Sequence, residues 1–178
     1  ENKEFNIEGY PSDFFINKII KVKPDQVTLV PDPPGALTSS FGWDCEENKN
    51  FLRDTVSEFQ QNKIRVSIFI NPAIKTLENL EIIKTDRVEL YTYDFAHIFT
   101  ENNNKSIKSY IDVSNFLRKE FPKIELNAGH DLNLDNLQFF LDNISDIKEV
   151  SIGHALICDT FEFGLEETIK KYLSLTKN

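Results

Sequence analysis

Six times along its 178 residues the chain repeats one pattern, a short β-branched or aromatic run followed by a longer amphipathic one. Such alternation leaves little choice of fold. Consecutive strands separated by a helix-length segment pair in parallel, and their helices cover the sheet, so the class is α/β. The predicted strands are Glu4 to Gly9, Gln26 to Pro31, Arg65 to Ile70, Arg87 to Thr92, Lys123 to Gly129 and Glu149 to His154. They are too apolar for a sheet with one face in water. Pro11-Ser12-Asp13 signals the start of a helix carrying Phe14, Phe15, Ile19 and Ile20. Further helices are predicted from about Cys45 to Asn62, behind Asn71-Pro72 through Ile74, Leu77, Leu80 and Ile83, and from about Lys105 to Glu120. The last two run through Leu137 and Phe140, and from about Thr160 to Leu173.

Two architectures accommodate six βα units. A doubly wound sheet places its site where the strand order reverses, and a barrel places it on the ring of loops after the strands. A barrel of about 250 residues has eight units of roughly 31 residues each, so six of them need about 186 residues. The chain therefore matches three quarters of a barrel by length. Neither a linker nor a composition shift divides residues 1–178, which read as one domain.

Hydrophobic residues make up 40%, including 15 Phe, enough for a real core. Twenty Lys and Arg against 29 Asp and Glu give a net charge of −9, which argues against nucleic acid as the main partner. No apolar run approaches the ~18 to 20 residues of a membrane span, and the start lacks the apolar core of a signal peptide, so a cytoplasmic protein is expected. Met is absent and the chain opens on Glu1-Asn2-Lys3-Glu4-Phe5, almost directly in strand-like sequence, which suggests further sequence upstream. Cys45 and Cys158 stand far apart outside any metal-binding spacing and read as reduced thiols.

Polar residues gather where the strands end. Gly129-His130 and Gly153-His154 close two neighbouring strands; glycine there lets backbone N–H groups approach an anion at a helix N-terminus. Either pair alone reads more readily as a tight strand exit; two side by side make a phosphate site an equal alternative. His130 suits acid–base work because an ordinary imidazole titrates near neutrality. His97 has no comparable context and reads as structural or exposed. Glu8, near the end of an apolar strand, is the best carboxylate for a general base, while Glu89 and Glu125 lie within strands and point inward or into a buried pair. The loop from Pro31 to Asp44 is too long for a plain connector. Its prolines, glycines, Phe41 and Trp43 suggest an active-site lid, or else an ordered surface loop whose aromatics pack on the adjacent helix.

NIEG on the first strand, LVPDPPGALTSSFGWD at the lid, then VSIFI, VELYT, NAGHDL and SIGHA occur in that order. With these the chain resembles the pyridoxine 5'-phosphate synthase family over essentially its whole length. The resemblance implies a TIM (β/α)8 barrel of which the last six βα units are present. It also implies condensation of 1-deoxy-D-xylulose 5-phosphate with 3-amino-2-oxopropyl phosphate to pyridoxine 5'-phosphate, phosphate and water. No metal or other cofactor is implied, and the assembly implied is a homo-octamer. By the same resemblance Glu8 is the proton acceptor and His130 the proton donor. Thr38 would bind deoxyxylulose phosphate, and Asp131, Gly153 and His154 the phosphate of the amino-ketone.

The chain departs from the family in three places. Asp131 stands where glycine is usual, and its carboxylate repels a phosphate unless it turns away. Thr92-Tyr93 replaces Thr-Gly, and the family's first two strands, with their Asn-x-Asp-His and His-x-Arg segments, are not in this sequence. The alternatives are a non-catalytic fragment or relic that keeps phosphate binding or oligomer contacts, and another phosphate-handling barrel enzyme.

Overall fold

Alternation along each strand sorts the side chains onto two faces of very different character. In the computed structural model, which describes residues 3–33 and 35–176, six strands pair in parallel in the order β1-β2-β3-β4-β5-β6. These are β1 (Asn6–Gly9), β2 (Gln26–Leu29), β3 (Arg65–Ile70), β4 (Arg87–Tyr91), β5 (Glu125–Gly129) and β6 (Ile147–Ser151). Glu1 and Asn2 of the opening segment and Pro34 of the predicted lid lie outside the described residues. The outward residues Val27, Leu29, Val66, Ile68, Ile70, Val88, Leu90, Leu126 and Ala128 are all buried. They pack with residues from α1 (Asp13–Val22), α2 (Lys49–Gln61), α4 (Tyr93–Phe99), α5 (Asn103–Glu120) and α6 (Leu137–Asn143), among them Ile19, Leu52, Phe59, Phe95, Tyr110 and Phe140. Each large apolar side chain buried in this layer stabilises the fold by about 1.5–3 kcal/mol.

Residues of the other register are polar: Asn6, Gln26 and Arg65 in one row of paired positions, and Glu8, Thr28, Ser67, Arg87 and Glu125 in the next. Their contacts reveal the curvature. In a flat sheet β2 and β6, four strands apart, would stand about 19 Å apart. Instead Gln26 Nε2 donates to Glu149 Oε2 at 3.0 Å, and Arg87 on β4 bonds both Gln26 Oε1 (3.0 Å) and Glu149 Oε2 (3.1 Å). The sheet therefore curls into a half-barrel, with a polar interior at the strands' N-terminal ends. A doubly wound order, with its reversal, is not what the strands adopt.

Helix boundaries differ from expectation where side chains compete for the backbone. Helix α1 begins as predicted: Ser12 Oγ accepts from the Phe15 N–H at 3.3 Å and Lys23, in the left-handed region, closes it. Helix α2 starts at Lys49 rather than Cys45, because Asp44 Oδ1 accepts from the N–H groups of Glu46 and Glu47 and holds a separate turn. Behind Pro72, a 3-10 turn (Ile74–Leu77) and the short α3 (Leu80–Ile83) replace one helix. Thr76 Oγ1 there bonds the carbonyls of Asn71 and Ala73. Helix α4 is absent from the predicted helices, although Phe95 and Phe99 at i, i+4 spacing pack on each other in its apolar side. The closing helix is two, α7 (His154–Phe163) and α8 (Leu165–Leu175), broken at Gly164 with φ +80°.

The predicted lid divides into two halves. Trp43 does not cover a cavity; it is buried, donates Nε1–H to the Leu29 carbonyl at 2.9 Å and stacks on Tyr10. Gly42 lies so close to the end of β3 that an added Cβ would come within 2.4 Å of Ile70 and Asn71 backbone atoms, which anchors this half of the loop. The residues before it extend over the C-terminal ends of the strands. Cys45 is buried and Cys158 exposed, and both are free thiols. Among the described residues no helix is long and apolar enough to cross a membrane.

Candidate active site

A cavity of about 960 Å³ opens at the C-terminal ends of the strands. Glu8, Thr38, Glu89, His130, Asp131, Gly153 and His154 all line it, so the sheet's curl gathers every sequence-predicted site residue around one space. They come from five places: the end of β1, the free half of the long loop, β4, the turn after β5 and the start of α7.

The turn after β5 has the most unusual backbone. His130 and Asp131 both have positive φ, +96° and +57°. Such angles cost a non-glycine residue roughly 1–3 kcal/mol unless its surroundings impose them. Here they do: the Thr92 hydroxyl donates to the His130 carbonyl, the Thr92 N–H donates to Gly129 O at 2.9 Å, and Asn136 Nδ2 holds Asp131 O at 3.2 Å. The turn aims His130 into the cavity. Its Nε2 lies 3.1 Å from Thr38 Oγ1, its Nδ1 lies 3.2 Å from Asp131 Oδ2, and Tyr91 meets the ring edge-on at 4.8 Å. Ser39 O accepts from Tyr91 Oη and Asp32 Oδ1 accepts from the Ser40 N–H, which fastens the loop above this ring.

On the floor of the cavity Glu89 is fully buried among the strands. Desolvation, with the negative charge of Glu8 second, pushes its carboxyl up to about 8. Its Oε2 has no hydrogen-bond partner, and a Cβ on Gly129 would sit 2.2 Å from its Oε1, so the glycine of NAGH makes room for this acid. Sequence alone left Glu89 ambiguous; the signal was a strand glutamate in register with Asn127, two residue pairs before the Gly129 exit. Glu8, at the cavity wall, is raised by desolvation and then by the charge of Asp32. Glu125 turns the other way and pairs with Arg87 at 2.7 Å, at the opposite end of the interior.

The pKa of Glu89 links to stability. The folded protein keeps this proton to about pH 8, whereas a carboxyl at its ordinary value of 4.5 loses it. Its contribution is therefore complete below about pH 4.5 and is lost as pH rises toward 8. Glu89→Gln, neutral at every pH, should make the unfolding free energy fall less between about pH 5 and 8 in urea titrations. Identical pH slopes for the two proteins would show that the buried group is not a neutral acid.

On the far side, Gly153 and His154 open α7, and a Cβ at Gly153 would meet nothing within 4 Å. The helix N-terminus thus faces open space, the setting in which free N–H groups and the helix dipole attract an anion. His97 is closer to the site than its sequence context suggested: its ring stacks on Tyr93 at 3.8 Å and its Nδ1 lies 4.0 Å from Asp131 Oδ2. Among the described residues no three His, Cys, Asp or Glu side chains are grouped as a metal site needs.

Residues 1–178 match the family described as "Pyridoxal phosphate biosynthesis protein PdxJ". A pyridoxine 5'-phosphate synthase of Flavobacterium johnsoniae is 47% identical over 174 residues, covering 98% of this chain and 73% of that protein. The enzyme of the same name from Parabacteroides distasonis is 47% identical over 169 residues, with 95% and 70% covered. Among solved structures, one described as native KDPGal superposes with a TM-score of 0.57 at 9% identity, over 95% of this chain and 68% of the other. A dihydrodipicolinate synthase gives 0.58 at 12% identity, over 94% and 62%. At such identities these two speak for the barrel-like fold alone.

Proposed function

Because the chain belongs to the PdxJ family of pyridoxal phosphate biosynthesis proteins, we propose that it acts as a pyridoxine 5'-phosphate synthase through the cavity at the strand ends. In this reading its one domain supplies the last six units of a (β/α)8 barrel. It joins 1-deoxy-D-xylulose 5-phosphate to 3-amino-2-oxopropyl phosphate, releasing phosphate and water, with no metal or other cofactor. The observation that carries the reading is that a carboxylate with a raised pKa, a loop threonine, a buried neutral acid and a histidine converge on one cavity in front of a helix N-terminus.

Each group has a task suited to its setting. Glu8 takes protons, helped by the desolvation and the Asp32 charge that raise its basicity. His130 returns them from Nε2. Glu89, protonated at neutral pH, can donate a hydrogen bond to negative charge developing on the substrate. Thr38 binds deoxyxylulose phosphate above His130, while Gly153 and His154 hold the phosphate of the amino-ketone at the start of α7. Asp131 meets that phosphate through its backbone N–H, its carboxylate being turned to the imidazole rings. Two anchored phosphates restrict the reacting carbons to a few orientations, which is where much of the rate acceleration arises. Self-association as a homo-oligomer and a cytoplasmic location belong to the same proposal.

The test is to supply the full chain with both phosphorylated substrates and follow pyridoxine 5'-phosphate and inorganic phosphate, with calorimetry for each substrate alone. Equal release of the two products is expected. Calorimetric binding without product would replace this reading with that of a phosphate-binding relic.

A further inference from the structure

Asp131 occupies the position where its side chain is least explained by folding. Glycine takes φ values of +96° and +57° without strain, yet this turn carries a histidine and then an aspartate. Three hydrogen bonds, from Thr92 Oγ1, Thr92 N–H and Asn136 Nδ2, hold the turn through its backbone, and none involves the carboxylate. The carboxylate instead comes round beside its neighbour's ring, with Oδ2 3.2 Å from His130 Nδ1, a nitrogen that is buried and has no aligned hydrogen-bond partner. The opposite nitrogen, Nε2, is the one that faces Thr38 and the cavity.

We infer that Asp131 is a positioning residue for His130: its carboxylate draws the Nδ1–H toward itself, fixes the ring's orientation and tautomer, and leaves Nε2 free to exchange protons with substrate. This rests on the reading of His130 as proton donor. The physical basis is that an imidazole's two nitrogens are coupled, so an acceptor at one decides which form the other presents, and a carboxylate also stabilises the imidazolium. Other groups face the pair without competing for Nδ1. Tyr91 and Tyr93 present ring contacts at 4.8 and 5.9 Å, and His97 lies 4.0 Å from the same Oδ2 with its own Nδ1 donating to Tyr93 O. The arrangement explains how a carboxylate sits at a phosphate-facing turn: it points to an imidazole and not to the anion.

Asp131→Gly and Asp131→Asn test this, since both residues tolerate positive φ and should preserve the turn. The chain has three histidines, so 15N-histidine labelling of the full chain resolves each ring, and two-bond couplings report which nitrogen is protonated. In the unliganded wild type His130 should show the Nδ1–H form when neutral, and in Asp131→Gly it should shift toward Nε2–H. In turnover assays kcat should fall about 10- to 100-fold in both variants, with KM for either substrate changed by less than about threefold. Unchanged His130 signals in Asp131→Gly would overturn the inference. So would wild-type kcat in both variants, which would leave the side chain no part in positioning the ring, or a changed amino-ketone KM with kcat intact, which would make it a phosphate contact. Because the labelling arm needs no substrate, it decides the question even if the synthase reading fails.

Discussion

Replacing His130 with alanine is expected to lower kcat by about 10²- to 10⁴-fold, the usual contribution of a positioned acid–base group, while leaving the thermal unfolding profile nearly unchanged. Both halves of that expectation come from the geometry. The ring projects from a turn held by backbone hydrogen bonds that alanine retains, and it touches Thr38 and Tyr91 at the cavity rather than the apolar layer beneath the helices. Alanine at φ +96° keeps some of the strain that histidine already bears, so the main loss is chemical. Glu8→Gln should act through the same reaction at the other end, with a comparable loss. The glutamine keeps shape and hydrogen bonding but cannot take a proton. Steady-state kinetics with both substrates measure each effect, and wild-type turnover by either variant would remove that residue from the mechanism.

Arg87→Ala should destabilise the protein by about 3 kcal/mol, the scale for removing one partner from a buried charge cluster. The arginine side chain is 9% exposed and supports two carboxylates and an amide at once: Glu125 at 2.7 Å, Glu149 at 3.1 Å and Gln26 at 3.0 Å. Without it, Glu125 relaxes toward water, being 43% exposed, whereas Glu149 at 26% is left, among the described residues, with Gln26 and Asn127 as donors. The penalty should therefore come mainly from Glu149, and adding Glu149→Gln to Arg87→Ala should recover a substantial part of it. Urea denaturation gives both numbers. A single-variant loss below about 1 kcal/mol, or no recovery in the double variant, would show that the cluster is well hydrated.

Strand positions were legible in the sequence because outward residues such as Val27, Val66 and Val88 must meet helices, and their β-branched runs mark each strand. The last strand was read two residues late. Ile147 already pairs with Leu126 and Lys148 forms the bulge that follows, while Gly153 and His154 belong to the start of α7. Helix interruptions were less visible, since they depend on single side chains such as Asp44, Thr76 and Gly164 taking or releasing backbone groups. Within the site, the two Gly-His pairs and Glu8 could be found from their place at strand ends. The environment of Glu89 could not, because the pressure that keeps it protonated comes from strands distant in sequence. Nor could the inward polar register, which is indistinguishable from an ordinary solvent face until curvature brings Gln26 against Glu149. Trp43 misled for a related reason: its aromatic ring suits a lid as well as a core, and only the Leu29 carbonyl decides.

The uninterrupted strand order also dictates how the molecule comes into being. Each strand pairs with the one made just before it, Asn6 with Gln26 and Gln26 with Arg65, so every new pairing closes a loop of only some tens of residues and the entropic toll stays small. A chain emerging from the ribosome can thus lay down unit upon unit, each burying its outward face under its own helix before the next arrives. The cavity follows a different schedule. Its wall needs Glu8 from the first strand and the start of α7 after the sixth, residues almost 150 positions apart by their numbering. Translation therefore delivers most of the strand pairings before it delivers the cavity, and a chain that stops before β6 lacks the start of α7 that completes the cavity wall.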